Sequence, residues 1–301
     1  MIVIISGSRY IDIDAYAACI AYRELLKLKG IESKAITTAN LNESVTKSLL
    51  SLSVKLDEYI PKEEDEFIVI DVSNKDYFDN IVNHDEIIEI IDHHVGFEEE
   101  WNERLGDKAN IEFIGAVATI IVEYYEKEKF LDKMSLDVAQ LLMAAILDNT
   151  LNFKAKVTTK RDVLAYQKLE KIIGNSKNYS EKYFLECQKD IEKNLVDAIN
   201  NDTKLENVNE ILPYVFGQLT VWDKDYIIDN KKIIYDTLNK LGNEWMMNLI
   251  CLKEGKSYII CGNSDVKVNL EKLMENKFEN DIMVLPEVWL RKEIIKKSKD
   301  M

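Results

Sequence analysis

The sequence predicts an α/β protein in which an N-terminal doubly wound, mainly parallel sheet is followed by a second, smaller α+β domain. Three observations predict it. Apolar runs of strand length at 1–6, 67–70 and 87–91 alternate with helix-period segments, the mark of βαβ units whose parallel sheet is covered on both faces. Each run leads towards one or more carboxylates, and in such sheets ligands bind outside the carboxyl ends of the strands, at the point where the strand order reverses. From about residue 202 the pattern changes to shorter alternating strands with interspersed helices.

A chain of 301 residues, 47% hydrophobic and 31% charged, is long enough for two globular domains. Its formal net charge of −15 argues against duplex nucleic acid, which is bound by clustered Lys and Arg. A small anionic substrate would need metal ions or a local basic pocket to bring it in. The four cysteines lack Cys-x-x-Cys spacing, which predicts free thiols in a reducing compartment. No apolar run approaches the ~20 residues of a membrane span, and the first residues do not read as a secretory signal. The expectation is a cytoplasmic protein with no membrane partner.

In order, residues 1–6 read as a strand and 7–14 as a loop. A helix follows over 15–29, with Ala18, Cys19, Tyr22, Leu25 and Leu26 on one face, Asp14 as its N-cap and Gly30 as its C-cap. A second strand is expected at 33–38 and a helical stretch near 42–53. Strands at 67–70 and 87–91 end at Asp71 and at Asp92-His93-His94. A short strand at 111–114 precedes Gly115-Ala116-Val117-Ala118-Thr119, small residues that suit an anion at a helix start and equally suit close packing of helix on sheet. A helix over 135–147 runs into Asp148-Asn149-Thr150, and Thr159 with Asp162 forms a variant capping box for the next helix. The best linker candidate is 174–178. Beyond it, strands are expected at 214–222, 246–252 and 257–261, and helices at 229–241 and 266–277. A basic end with Lys296, Lys297 and Lys299 fits a solvated terminus and also supplies local positive charge.

Two of the chain's three histidines are adjacent in Asp92-His93-His94. Taken singly, Asp12, Asp14, Asp71 and Asp92 are ordinary caps or turn residues. Delivered by three strands to one sheet edge, they form a candidate metal and anion site. His84, in the polar Asn83-His84-Asp85-Glu86, is expected at the surface.

With these motifs laid out, the chain resembles the DHH phosphoesterase superfamily, in the branch with a DHHA2 C-terminal domain that includes manganese-dependent family II inorganic pyrophosphatases and exopolyphosphatases. Asp92-His93-His94 matches the signature. Gly7, Asp12 and Asp14 match the first motif, with Ser8 where the family carries histidine. Asp71 matches the second motif. Asn149-Thr150-Leu151-Asn152-Phe153-Lys154 resembles the fourth, with Asn149 in place of its aspartate and Asp148 one residue earlier. Asp202-Thr203-Lys204 and Leu290-Arg291-Lys292-Glu293 resemble the basic motifs of the second domain.

The resemblance implies a DHH metal-binding domain over 1–187 and a DHHA2 substrate-binding domain over 191–301. It implies a hydrolase that cleaves a phosphoanhydride or phosphoester, with Mn²⁺ or Mg²⁺ as cofactor and a small phosphorylated anion as substrate. Asp12, Asp14, Asp71, His93 and Asp148 or Asn149 would hold one or two ions, the Ser8 and Asn149 replacements weakening one subsite. His94, Asp92 and Lys204 would act in catalysis, with Lys204, Arg291, Lys292 and His94 on the substrate. A homodimer is a further implication, and a degenerate member that binds phosphate, nucleotide or a partner without turnover is the alternative.

Overall fold

The computed structural model describes residues 1–174 and 177–300. Asn175 and Ser176, in the linker candidate, lie outside the described residues. The chain forms two compact units, Met1–Ser180 and Glu181–Met301.

The first unit contains β1 (Ile2–Ile5), α1 (Ile13–Leu28), β2 (Ser33–Ala35), α2 (Lys47–Leu50), β3 (Glu66–Ile70), β4 (Ile87–Asp92), α3 (Glu98–Leu105), β5 (Ala109–Ile111), α4 (Val117–Lys127), α5 (Leu136–Asn149) and α6 (Lys160–Ile173). Its five strands lie in the order β2-β1-β3-β4-β5, and every neighbouring pair is parallel. Alternate strand residues face opposite ways. Val3, Ile5, Phe67, Val69 and Ile90 enter one core cluster with Phe78 and the fully buried Trp101 of α3. Ile4, Ile68 and Ile91 are also buried, on the opposite face, which α1 and α4 cover. The order reverses between β1 and β3, so this sheet opens its ligand crevice there.

Several boundaries moved. Asp12, not Asp14, caps α1: its side chain accepts from the Ala15 amide at 3.0 Å, and Asp14 stands in the first turn. The expected strand at 33–38 is limited to Ser33–Ala35, and the helix near 42–53 to Lys47–Leu50. The strand expected at 111–114 sits earlier, at Ala109–Ile111, because pairing with the end of β4 fixes its register. α5 runs through Asn149, two residues further than its apolar pattern. Ser135 caps α5, and Thr159 with Asp162 forms the capping box of α6.

The second unit contains α7 (Tyr179–Lys193), within which the unit boundary falls, then α8 (Leu195–Asn201), β6 (Thr203–Leu205), β7 (Val215–Val221), α9 (Asp225–Asp229), α10 (Lys231–Leu238), β8 (Trp245–Cys251), β9 (Lys256–Ile260), α11 (Ser264–Met274), β10 (Ile282–Leu285) and α12 (Arg291–Lys299). Its sheet is mixed, in the order β10-β9-β8-β7-β6, with β7 and β8 parallel and the other pairs antiparallel. The alternation along β8 sends Trp245, Met247 and Leu249 to a core with α8 and α10. Met246 faces the opposite core, formed with α11 and Ile294 of α12. The short edge strands β6 and β10 and the helix α12 carry too few periodic apolar residues to be read from sequence. The four cysteines are buried free thiols. Among the described residues no helix is long and apolar enough to cross a membrane.

Candidate metal centre

β1, β3 and β4 deliver their polar residues to one edge of the sheet, as the three acidic strand ends predict. Asp71 follows β3 directly, in the left-handed region at φ 64°. Asp is one of the few non-glycine residues that adopts this region readily, and here the turned backbone leaves its carboxylate 3.2 Å from His93 Nε2. The side chain is 7% exposed, and its Oδ1 is buried without a hydrogen-bond partner.

His93 faces that oxygen. Its Nδ1 lies 3.1 Å from the Ile114 carbonyl oxygen. A carbonyl only accepts, so this contact places the proton on Nδ1 and turns the Nε2 lone pair towards the carboxylates. Nε2 is 3.2 Å from Asp71 Oδ1 and 3.9 Å from Asp14 Oδ2. Lone pair against carboxylate is repulsive at that distance unless a cation or a proton stands between them. Asp71, His93 and His94 each offer a ligand atom within 4.8 Å of the others. An orphaned buried carboxylate oxygen beside a correctly tautomerised imidazole fits a divalent cation.

Asp14 is fully buried. Its Oδ2 accepts from the Val117 amide at 2.8 Å and its Oδ1 from the Ala118 amide at 2.9 Å. It therefore serves the first turn of α4, whose own N-cap, Ala116, has no side-chain acceptor. Burial pushes the Asp14 carboxyl well above its ordinary range, and the Asp71 charge adds to this while His93 opposes it. Burial likewise raises Asp71, with Asp12 and Asp92 adding to the effect and His94 opposing it. Several carboxylates at one buried edge cannot all ionise cheaply, and a bound cation relieves the cost.

Asp92 organises the signature. Its Oδ1 accepts from the His93 amide at 2.7 Å and the His94 amide at 3.1 Å, and lies 2.9 Å from His94 Nδ1. Burial raises its carboxyl, but hydrogen bonds and the nearby imidazoles outweigh this, and the net shift is downwards. His94 is 61% exposed, so its Nε2 edge is open to an incoming ligand.

The structure thus brings Asp12, Asp14, Asp71, Asp92, His93 and His94 together. Ser8, where the resemblance places a histidine, turns its hydroxyl to the Tyr77 carbonyl at 3.1 Å. Asp148 and Asn149 close α5. Just past that helix end, Leu151, Asn152 and Phe153 occupy the left-handed region in succession, at φ 49°, 54° and 62°, which asparagine tolerates and which costs Leu151 and Phe153 about 1–2 kcal/mol each. Hydrogen bonds from the Asn152 amide to Leu147 O and from the Ala155 amide to Thr150 O hold the turn. His84 is exposed, as expected.

Lys204, Arg291 and Lys292 belong to the second unit. Lys204 is exposed on β6. Arg291 opens α12 and spends three of its five donors on the Asp202 carboxylate and the carbonyls of Asp202 and Phe216. Lys292, next to it in α12, is exposed, and partial desolvation lowers its pKa against the opposing effect of Glu293. Reasoning from sequence missed the backbone partners of the centre, the Ile114 carbonyl and the Val117 and Ala118 amides. The run of small residues at 115–119 was their one trace.

Fold and centre together define an α/β protein with a histidine–carboxylate cluster at the switch point of a parallel sheet. Residues 2–146 match the DHH family, N-terminal domain, so the first unit carries a DHH N-terminal domain. It is 26% identical over 304 residues to a manganese-dependent inorganic pyrophosphatase of Methanothrix thermoacetophila, covering 95% of this chain and 94% of the relative. Among solved structures, a Methanococcus jannaschii protein assigned to the family II inorganic pyrophosphatases aligns over 99% of this chain and 100% of its own, with a TM-score of 0.66 and 22% identity. An exopolyphosphatase-related protein from Bacteroides fragilis aligns over 99% of this chain and 90% of its own, with a TM-score of 0.53 and 13% identity. These two likenesses bear on the fold.

Proposed function

We propose that the protein is a metal-dependent phosphohydrolase that cleaves a phosphoanhydride, with pyrophosphate or short polyphosphate as substrate. The observation that carries this reading is the orphaned Asp71 Oδ1, buried and 3.2 Å from Nε2 of His93. Asp71 and His93 would hold a divalent ion, with Asp14 adding a buried carboxylate and Asp12 negative charge nearby. When bound, Mn²⁺ or Mg²⁺ supplies Lewis-acid charge that activates water and neutralises phosphoryl oxygens. Asp92 would fix the His94 ring so that its exposed nitrogen meets substrate or leaving group. Lys204, Arg291 and Lys292 are the proposed phosphate binders of the second unit, where Asp202 already holds the Arg291 guanidinium in place.

A second reading, a degenerate member that binds a phosphorylated ligand without turnover, is favoured by the Ser8 hydroxyl turned away to Tyr77 and by the neutral Asn149. Calorimetric titration with Mn²⁺ and Mg²⁺, paired with phosphate release from pyrophosphate, polyphosphate and dinucleotides, separates the two. The expected result is Mn²⁺ binding and release from pyrophosphate or polyphosphate. Binding without release under Mn²⁺, Co²⁺ or Mg²⁺ overturns the enzyme reading. A Ser8→His, Asn149→Asp double variant that then gains activity would identify those two positions as the missing elements.

A further inference from the structure

The sequence marks Asp162 only as the capping-box residue of α6, yet its environment exceeds what a cap requires. The side chain is fully buried. Its Oδ2 accepts from the Thr159 amide at 2.7 Å and the Thr159 hydroxyl at 2.8 Å, which completes the cap. The same oxygen accepts from the Gly115 amide at 3.2 Å, and Oδ1 accepts from the Thr119 hydroxyl at 2.7 Å. These last two donors belong to the start of α4. A buried carboxylate is costly and is kept only where its hydrogen bonds are complete.

The Gly115 N–H belongs to the same peptide unit as the Ile114 C=O, and that carbonyl receives His93 Nδ1 at 3.1 Å. A trans peptide is planar, with its N–H and C=O pointing in opposite directions. Pinning the N–H to Asp162 therefore fixes the direction of the carbonyl, and the carbonyl fixes the imidazole. Hydrogen-bonded groups also polarise one another in series, so the Asp162 charge draws the proton of His93 towards Nδ1 and enriches Nε2. Histidines at metal sites commonly donate to a carboxylate or a carbonyl; here a single peptide joins the two. Gly115 permits the approach, since a Cβ there would stand 2.7 Å from Asp162 Oδ2 and 2.8 Å from Thr150 Cγ2. Two residues on, Val117 and Ala118 hold Asp14. The segment 114–118 thus ties His93 and Asp14 to one buried anchor.

We propose that Asp162 is a positioning residue that sets the tautomer and orientation of His93 through the Ile114–Gly115 peptide. Its consequence for metal affinity rests on the function proposed above; its consequence for the imidazole does not.

The test uses the full chain with ¹⁵N-labelled histidine, whose three rings are assigned by substituting His84 and His94. In the metal-free wild type, His93 is expected as a single tautomer protonated at Nδ1. In Asp162→Ala it becomes a mixture, and the Mn²⁺ Kd measured by calorimetry rises about 10–100-fold, the range for lost outer partners of a metal ligand. Asp162→Asn keeps an acceptor for Gly115 without the charge, so it retains the tautomer while losing part of the affinity. A folded Asp162→Ala protein with an unchanged His93 tautomer overturns the proposal. Should that variant fail to fold, Thr119→Val decides: removing the hydroxyl that anchors Oδ1 must shift the His93 nitrogen signals, and unchanged signals reject the relay. A wild type that binds no Mn²⁺ overturns the metal reading alone, because the tautomer comparison needs no metal.

Discussion

Asp71→Asn should raise the stability of the metal-free protein and lower that of the metal-loaded one. Asparagine tolerates the left-handed backbone at φ 64°, whereas alanine would add about 1–2 kcal/mol of strain and blur the comparison. The change therefore isolates the charge. Asp71 is 7% exposed and its Oδ1 has no hydrogen bond, so an ionised carboxylate bears most of the several-kcal/mol penalty of a buried ion. With the adjacent imidazoles as partial compensation, removing the charge at pH 8 should stabilise by roughly 1–3 kcal/mol. For a unit of this size that is about 2–4 °C in Tm per kcal/mol. Mn²⁺ at a hundredfold excess over Kd would add about 2.7 kcal/mol to wild type and a small fraction of that to the variant, so the ranking inverts on adding metal. Differential scanning calorimetry with and without Mn²⁺ measures all four values. A metal-free variant that melts below wild type would refute the reasoning, since the surroundings would then favour the Asp71 charge. Equal Mn²⁺ gains in both proteins would refute the ligand role.

Two further outcomes follow from the same physics. Asp14 and Asp71 both titrate above the ordinary carboxylate range, so between the unfolded and folded pKa values the native state binds more protons than the unfolded chain. Metal-free stability should fall as pH rises from about 4, and Mn²⁺ should add more to Tm at pH 8 than at pH 5.5; a flat difference across that interval would contradict the assignment. Away from the centre, the Tyr22 hydroxyl donates to the buried Glu89 at 2.8 Å, and Tyr22→Phe should cost about 1.5–3 kcal/mol, as expected for a hydrogen bond to a charged group. Urea denaturation measures it, and a loss below about 0.5 kcal/mol would mean that Lys108, 3.9 Å from Glu89, already satisfies the carboxylate.

Much of the first unit was legible because its information is local. Ile2–Ile5, Glu66–Ile70 and Ile87–Asp92 announce themselves by apolar runs, and Thr159 with Asp162 by capping chemistry. Where pairing decides, the pattern misled: β5 lies earlier than its apolar residues suggest because its register follows Asp92. Asp14 looked like a helix cap, since Asp before an apolar run is the usual signal. Asp12 took that role and left Asp14 to serve a helix that begins 103 residues further along the chain.

By itself the sequence determined the sheet, the edge at which its acids gather, and the Asp92-His93-His94 signature of the DHH family, because strand length, periodicity and motif order are properties of neighbouring residues. Only the tertiary structure decided which nitrogen of His93 faces Asp71, which amides hold Asp14, and that a capping-box carboxylate reaches the Gly115 peptide. Each of these contacts joins residues more than twenty positions apart, and such contacts exist only once the helices are packed on the sheet.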